Sequence, residues 1–202
     1  MADILEGIGV LDISQAAAGP LAATQLAEMG ANVIKVEPPW GDIVRNRPPY
    51  KNGVDLMVSA FSRSKRGVVL DLRKEKDKEI LLEMVKWADV FLENFKVGAA
   101  DRMGLGYEAL SAVNPRLIYC SVAGFGHKGP LKERGSMDTL AQVRAGLGSI
   151  SGSPGGSGEY VGMITCDVYT PAYACQGILM ALFAREFTGR GQKIETSQLE
   201  AG

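Results

Sequence analysis

The chain of 202 residues contains a single histidine, His127. A Ser-His-Asp triad or a multi-histidine metal site is therefore disfavoured. Cysteine is scarce as well. Cys120, Cys166 and Cys175 are odd in number and lack metal-ligand spacing, which points to a reduced, cytoplasmic protein with no metal centre. Excess charge of one sign is missing, since 22 Lys+Arg stand against 23 Asp+Glu. That balance gives no general case for nucleic acid or an anionic membrane as partner. No apolar run approaches a membrane span, and residues 1–6 have no basic region ahead of an apolar stretch, so no secretory leader is visible. What is present is ample apolar material: 46% hydrophobic residues allow a sizeable core, at a length that suits one domain or part of a larger one.

The apolar pattern alternates between strand-like and helix-like segments. Residues 8–13 read as a buried strand, 21–29 as a helix stopped by Gly30, and 32–36 as a second strand. This is the usual opening of a parallel sheet. Residues 40–66, rich in Pro, Gly and basic side chains, read as a long surface excursion. A third strand is expected at 68–72, a helix at 76–88 with Ile80, Met84 and Trp87 on one face, and a fourth strand at 89–92. Short helices near 99–103 and 107–113, a fifth strand at 116–122, a helix near 138–147 and a Gly/Ser loop at 148–158 follow. The last elements are an apolar helix at 172–187 and a sixth strand at 192–197. Thr170 suits that helix's N-cap and Pro171 its first position, and Tyr173 and Phe183 are among the residues expected to be buried. The sum is a Rossmann-like α/β fold with ligands expected beyond the C-terminal ends of the strands.

Asp167 is the most informative residue. It is a lone carboxylate with no charged neighbour for several residues, just ahead of an almost wholly apolar helix. The same position suits an acid that only stabilises a helix dipole, and local chemistry does not choose between the two. Asp138 reads on its own as a helix-terminal acid, and His127, in a Gly/Pro-rich turn, as a surface residue. Cys166 reads as a small buried residue rather than a nucleophile. The first βα turn, Ser14-Gln15-Ala16-Ala17-Ala18-Gly19-Pro20, lacks the G-x-G-x-x-G fingerprint, which disfavours a dinucleotide site. Arg45, Arg47, Lys51, Arg63, Lys65, Arg66 and Arg73 form a basic group that makes an anionic ligand plausible. The 148–158 loop reads as a mobile linker rather than a phosphate cradle, because no P-loop Lys or Thr follows it.

Several segments in order resemble the class III CoA-transferases, the formyl-CoA transferase and carnitine CoA-transferase family. They are Leu11-Asp12-Ile13-Ser14 with Ala18-Gly19-Pro20; Gly30 to Pro39 followed by Gly41-Asp42 and Arg45; and Lys65-Arg66 with Leu70-Asp71-Leu72. Next come Ala88-Asp89-Val90 with Glu93-Asn94-Phe95, Asp101-Arg102-Met103-Gly104, Asn114-Pro115-Arg116 and Gly124-Phe125-Gly126. Asp138 with Ala141-Gln142, then Asp167, then Thr188-Gly189-Arg190-Gly191-Gln192 complete the set.

The resemblance implies a Rossmann-like parallel sheet forming the N-terminal portion of the family's large domain. It places the nucleophile at Asp167, a second acid at Asp138, and coenzyme A contacts at Ala17, Leu70, Arg73, Asn94, Phe95 and Arg102. The implied substrates are an acyl-CoA and a free carboxylic acid, exchanged through a covalent aspartyl intermediate. No metal is implied. Relatives continue into a small second domain, return to complete the first, and pair as interlocked homodimers. A chain ending at Gly202 is then expected to be truncated and to expose apolar surface. Formyl-CoA transferases carry Gln where Ala17 stands here, which argues against oxalate or formate. The related racemases carry His where Met137 stands, which argues against racemisation. A racemase or epimerase of the same superfamily, and a non-catalytic CoA-binding or dimerisation fragment, remain as alternative readings.

Overall fold

The computed structural model describes residues 3–45 and 47–202. Met1 and Ala2, part of the stretch read for a leader, and Asn46 lie outside the described residues. In chain order the first elements are β1 (Gly9–Asp12), α1 (Ala18–Glu28), β2 (Asn32–Glu37), β3 (Tyr50–Lys51), β4 (Val54–Asp55) and α2 (Leu56–Phe61). Then come β5 (Arg66–Val69), α3 (Glu75–Trp87), β6 (Val90–Glu93), α4 (Ala99–Arg102), α5 (Tyr107–Val113) and β7 (Ile118–Ala123). The last are α6 (Asp138–Ala145), α7 (Leu147–Ile150), α8 (Thr165–Thr188), β8 (Lys193–Ser197) and α9 (Gln198–Ala201).

Six strands form one parallel sheet in the order β5-β2-β1-β6-β7-β8. The order reverses between β1 and β6, the place where doubly wound sheets open a ligand crevice. Alternation along the strands builds two cores. Val10, Val90, Leu92, Ile118, Cys120 and Val122 face α1 and α8, while Leu11, Phe91, Leu117 and Tyr119 face α3 and α5. Small side chains let α1 and α8 pack closely: Ala18, Ala22 and Ala23 meet Ala174, Cys175 and Ile178, and the Cys175 thiol donates to the Ala22 carbonyl at 3.3 Å.

The expected strands and helices form, with some differences. The 40–66 excursion is not bare loop; it carries the β3–β4 hairpin and α2, which Asp55 caps by accepting from the Met57 and Val58 amides. The third strand is shifted to Arg66–Val69. On α3 the buried residues are Leu81 and Val85, whereas Ile80 and Trp87 stay about half exposed. Helix α8 starts at Thr165 with Ile164 as N-cap, so Pro171 is internal and Thr170 is no cap. The Thr170 hydroxyl instead donates to the Cys166 carbonyl, and the missing Pro171 N–H removes the i+4 donor from the Asp167 carbonyl.

Helix α8 also presents two apolar faces rather than one buried surface. Ala174, Cys175, Ile178, Ala181 and Leu182 are buried. Tyr169, Tyr173, Met180, Phe183 and Phe187 are exposed, as are Met137, Leu140 and Val143 on and beside α6. The burial expected of Tyr173 and Phe183 is thus corrected: the inner stripe alone suffices to dock α8 on the sheet.

A buried charge network locks the crevice. Asp12, at the end of β1, is fully buried; Lys65 Nζ lies 2.8 Å and Lys35 Nζ 3.9 Å from its carboxylate. Burial pushes the Asp12 carboxyl up, and the two lysines outweigh it and hold the group below the ordinary carboxylate range. Lys65 also donates to the carbonyls of Pro20 and Phe61, and Lys35 to that of Ser14, while Lys35 pairs with Asp42 at 3.1 Å. Lys65→Met would strand Asp12 beside the more distant Lys35. We expect it to cost about 3 kcal/mol, the lower end for breaking a buried pair, read from urea unfolding. Adding Asp12→Asn should recover most of that loss; a single variant as stable as the parent would show the network to be energetically idle.

Candidate active site

The carboxyl edge of the sheet gathers the residues singled out from the sequence, in spatial order. Leu70 and Arg73 follow β5, Ala17 follows β1, Asn94, Phe95 and Arg102 follow β6, and Asp167 sits beside the end of β8. Six strands at about 4.8 Å spacing make this row roughly 24 Å wide.

Each position is held differently. Ala17 is the N-cap of α1 without a side-chain cap, so among the described residues the amides of that first turn are served by no side-chain acceptor. The turn before it is constrained: Ala16 adopts φ +66°, its amide bonded to Asp42 Oδ1 at 3.0 Å. Asn94 clamps the same turn, donating to the Gln15 carbonyl at 2.7 Å and accepting the Gln15 amide at 2.8 Å. Leu70 is buried at 5% exposure. Phe95 is half-buried, its amide held by Glu93 Oε2 at 2.8 Å. The Arg73 guanidinium forks onto Asp71 and stacks 4.4 Å from the Trp40 ring centroid, and Arg102 is exposed. The Asp71 carboxyl, bonded by Arg73, is pulled down to about 2. Beside Trp40 runs an open groove of about 480 Å³ lined by Glu37, Arg45, Gly67 and Val69.

Much of the basic group is committed internally. Arg45 binds Glu37, Arg63 binds Glu28, Lys65 binds Asp12, and Arg66 donates to Asn32. His127 is not a plain surface residue. It is half-buried with Nε2 2.8 Å from Ser121 Oγ, and burial pushes its pKa down. Ser121 in turn donates to Glu93, whose carboxyl burial pushes up.

Around Asp167 the geometry is tighter. Asp138, 6% exposed at the start of α6, accepts the Asp167 amide through Oδ1 at 3.0 Å. It thereby serves as a remote cap for α8, whose own N-cap has no side-chain bond. Asp138 Oδ2 accepts from Gln142 Nε2 at 2.6 Å and from the Tyr160 hydroxyl at 3.3 Å, so the loop thought a mobile linker ends on Asp138. That loop is closed by the Glu159 amide on the Gly148 carbonyl at 3.0 Å. Gln198, the first residue of α9, donates its side-chain amide to Asp167 Oδ1. Sequence reasoning quoted Gln142 only as part of the Asp138 segment, without a role, and missed Tyr160 and Gln198; Gln198 carried a signal as the residue directly after a strand's C-terminal end. Cys166 is buried with its thiol pushed up to about 11, which leaves it inert. Among the described residues no group of His, Cys, Asp and Glu is placed to hold a metal.

Burial, reinforced by the Asp138 charge, pushes the Asp167 carboxyl up to about 6 against the pull of Gln198. A doubly wound sheet without a dinucleotide fingerprint, carrying a half-buried carboxylate at one end of a strand-edge row, defines an α/β protein with a crevice at the carboxyl ends of its strands. Comparison makes the assignment specific. The chain matches CoA-transferase family III over residues 5–202 and belongs to that family. It is 41% identical to the acetyl-CoA:oxalate CoA-transferase of Acetobacter aceti, covering 96% of this chain and 51% of the relative. It is 39% identical to the succinyl-CoA:mesaconate CoA-transferase of Haloarcula hispanica, covering 98% and 52%. Among solved structures it resembles a CAIB/BAIF family protein from Brucella suis, with TM-score 0.93 and 38% identity over 98% of this chain and 53% of that one. The chain thus spans about half the length of these relatives.

The raised Asp167 carboxyl has a consequence for stability. Between the ordinary carboxylate range and about pH 6 the folded chain holds more protons than the unfolded one, so this group makes folding less favourable as pH rises through that window. Asp167→Asn should therefore unfold at higher urea than the parent at about pH 8, with the gap closing toward about pH 4. A gap independent of pH would mean that Asp167 titrates normally.

Proposed function

We propose that this chain is the N-terminal part of the large domain of a CoA-transferase that works through a covalent Asp167 intermediate. The observation that carries the reading is the placement of Asp167: a carboxylate with its amide tied to Asp138 and one oxygen tied to Gln198, at the end of the ligand row. Half-burial raises its basicity and hence its reactivity as a nucleophile, while a pKa of about 6 leaves it mostly ionised at neutral pH. The attack needs no general base, which suits a chain whose lone imidazole, His127, is engaged with Ser121 beyond β7.

In this reading the Asp167 carboxylate attacks the acyl carbon and expels the CoA thiolate, giving a mixed anhydride. The thiolate then attacks the aspartyl carbonyl carbon, releases the acyl group as its carboxylate and leaves an aspartyl-CoA thioester. An incoming carboxylate reverses the sequence and takes the CoA. The CoA moiety would lie along the strand ends, its nucleotide near Leu70 and Arg73, its chain across Ala17, Asn94 and Phe95 with Arg102 alongside. For Ala17 and Leu70, both buried, contact through the backbone fits their placement. The relatives' names include oxalate, mesaconate, glutarate and malate as acids. Their common chemistry supports a small dicarboxylic acid as acceptor here.

The exposed apolar stripe of α8 and α6 supports a covered surface in the working protein, and a homodimer is the assembly we assign to it. We place the protein in the cytoplasm, in keeping with three free buried cysteines. No helix among the described residues is long and apolar enough to cross a membrane. If this stripe is an interface, Phe183→Glu should shift the sedimentation coefficient toward the monomer; an unchanged distribution removes α8 from the interface.

The covalent reading is tested with a panel of acyl-CoA thioesters, hydroxylamine trapping and mass analysis of the Asp167 peptide. The expected result is a hydroxamate at Asp167 whose rate of formation rises with pH through about 6. Asp167→Asn should lose labelling by on the order of 10³-fold or more. CoA binding without any modification of Asp167 would overturn the covalent mechanism.

A further inference from the structure

Gln198 is neither an acid nor a base, and the chemistry above leaves it without a task, yet it makes the one side-chain hydrogen bond to the Asp167 carboxylate among the described residues. Its placement is rigid. It is 8% exposed, in the α9 turn at the end of β8. The turn is fixed by Ser197, which accepts the Glu200 amide at 3.2 Å and donates to the Glu200 carboxylate at 2.8 Å. The bond from Gln198 reaches Oδ1 alone. Oδ2 has no hydrogen-bond partner among the described residues. It is also not among the sealed side-chain atoms that lack a hydrogen bond, which are Asp55 Oδ2, Gln142 Oε1, Arg185 Nε and the Asp42 Oδ2 that Lys35 meets as an ion pair, so it remains reachable from outside.

We infer that Gln198 makes the two Asp167 oxygens inequivalent, holding Oδ1 in place while Oδ2 attacks the acyl carbon, and that its amide then donates to Oδ1 when thiolate adds to the aspartyl carbonyl. This rests on the covalent reading of Asp167. In the first step Oδ2 bonds to the acyl carbon and the C–S bond breaks, its electron pair leaving with the thiolate. In the second, sulfur bonds to Asp167 Cγ and the electron pair of the Cγ–Oδ1 double bond moves onto Oδ1, which becomes an oxyanion. When the double bond re-forms, the Cγ–Oδ2 bond breaks and Oδ2 departs with the released carboxylate. No proton or co-reactant is needed. The Oδ1 charge grows only in the transition state, and a donor already in place and only slightly exposed stabilises it without reorganisation.

The same contact keeps Asp167 ionised. Four other polar groups lie around that carboxylate. Asp138 from α6 repels its charge, the adjacent Cys166 thiol is neutral, and Tyr160 acts through Asp138; Glu200 on α9 is held by Ser197. Gln198 is the donor that opposes burial and the Asp138 charge.

The test compares the parent chain with Gln198→Leu, which keeps the bulk without the donor, and Gln198→Glu, which keeps the length and donates only when protonated. Two readouts are taken: the titration of the Asp167 carboxylate carbon by 13C NMR without any CoA, and hydroxylamine-trapped labelling with acyl-CoA across pH. We expect both variants to titrate at higher pH than the parent. Labelling in Gln198→Leu should fall about a hundredfold even where Asp167 is fully ionised. Gln198→Glu should regain part of the rate below the pH at which the introduced carboxyl group ionises. A Gln198→Leu chain that labels at the parent's rate, with a carboxylate that titrates as before, overturns the inference while leaving covalent chemistry intact. An unlabelled parent defeats the Asp167 mechanism, and this inference with it. If Gln198→Leu fails to fold, Gln198→Glu alone decides: an unshifted titration and an unchanged pH profile overturn the role.

Discussion

A carboxylate that is fully buried at the end of a central strand must be neutralised, and at Asp12 two lysines meet that demand. Lys35 comes from within β2 and Lys65 from the residue just before β5, so satisfying one charge at the end of β1 ties three neighbouring strands together. The lysines direct their remaining donors to the backbone of the β1–α1 turn and of α2. Asp42 balances the second lysine and holds the Ala16 amide. The left-handed Ala16, which costs on the order of 1 kcal/mol, survives because Asp42 on one side and Asn94 on the other over-determine it.

The far end of the strand row is organised by the opposite device. There a carboxylate is not neutralised but held, half-buried, beside a second acid. Asp138 is retained there because it serves the Asp167 amide, so its charge is bound to the helix N-terminus rather than left loose. The result is one end of the crevice where charge is fully paired and rigid, and another where charge is under-compensated.

The strands and most helices were legible because parallel strands covered on both faces are continuous apolar runs, and period alone separates them from the amphipathic α3. Asp167 was legible as an isolated acid. What could not be read was Asp138's partnership with it, because the link joins the starts of two helices 29 residues apart. The onset of α8 was misplaced for the same reason: Thr170-Pro171 has the local chemistry of a helix start, but a remote carboxylate supplied a cap one and a half turns earlier. The basic group was over-read, since Arg45, Arg63 and Lys65 look free in one dimension and are paired in three. The outer face of α8 was over-read as core because hydrophobicity says that a side chain seeks cover, not which side of the helix receives it.

The sequence by itself determined the class of fold and the family, and marked Asp167 as an isolated acid, because those depend on apolar periodicity and on short segments in fixed order. The tertiary structure decided everything that required two distant segments to meet. Lys65 reaches Asp12, Asp138 caps α8, and Gln198 divides the two oxygens of Asp167. Hydrogen bonds and ion pairs act over about 3 Å, and no local pattern records which residues the folded sheet will bring within that distance.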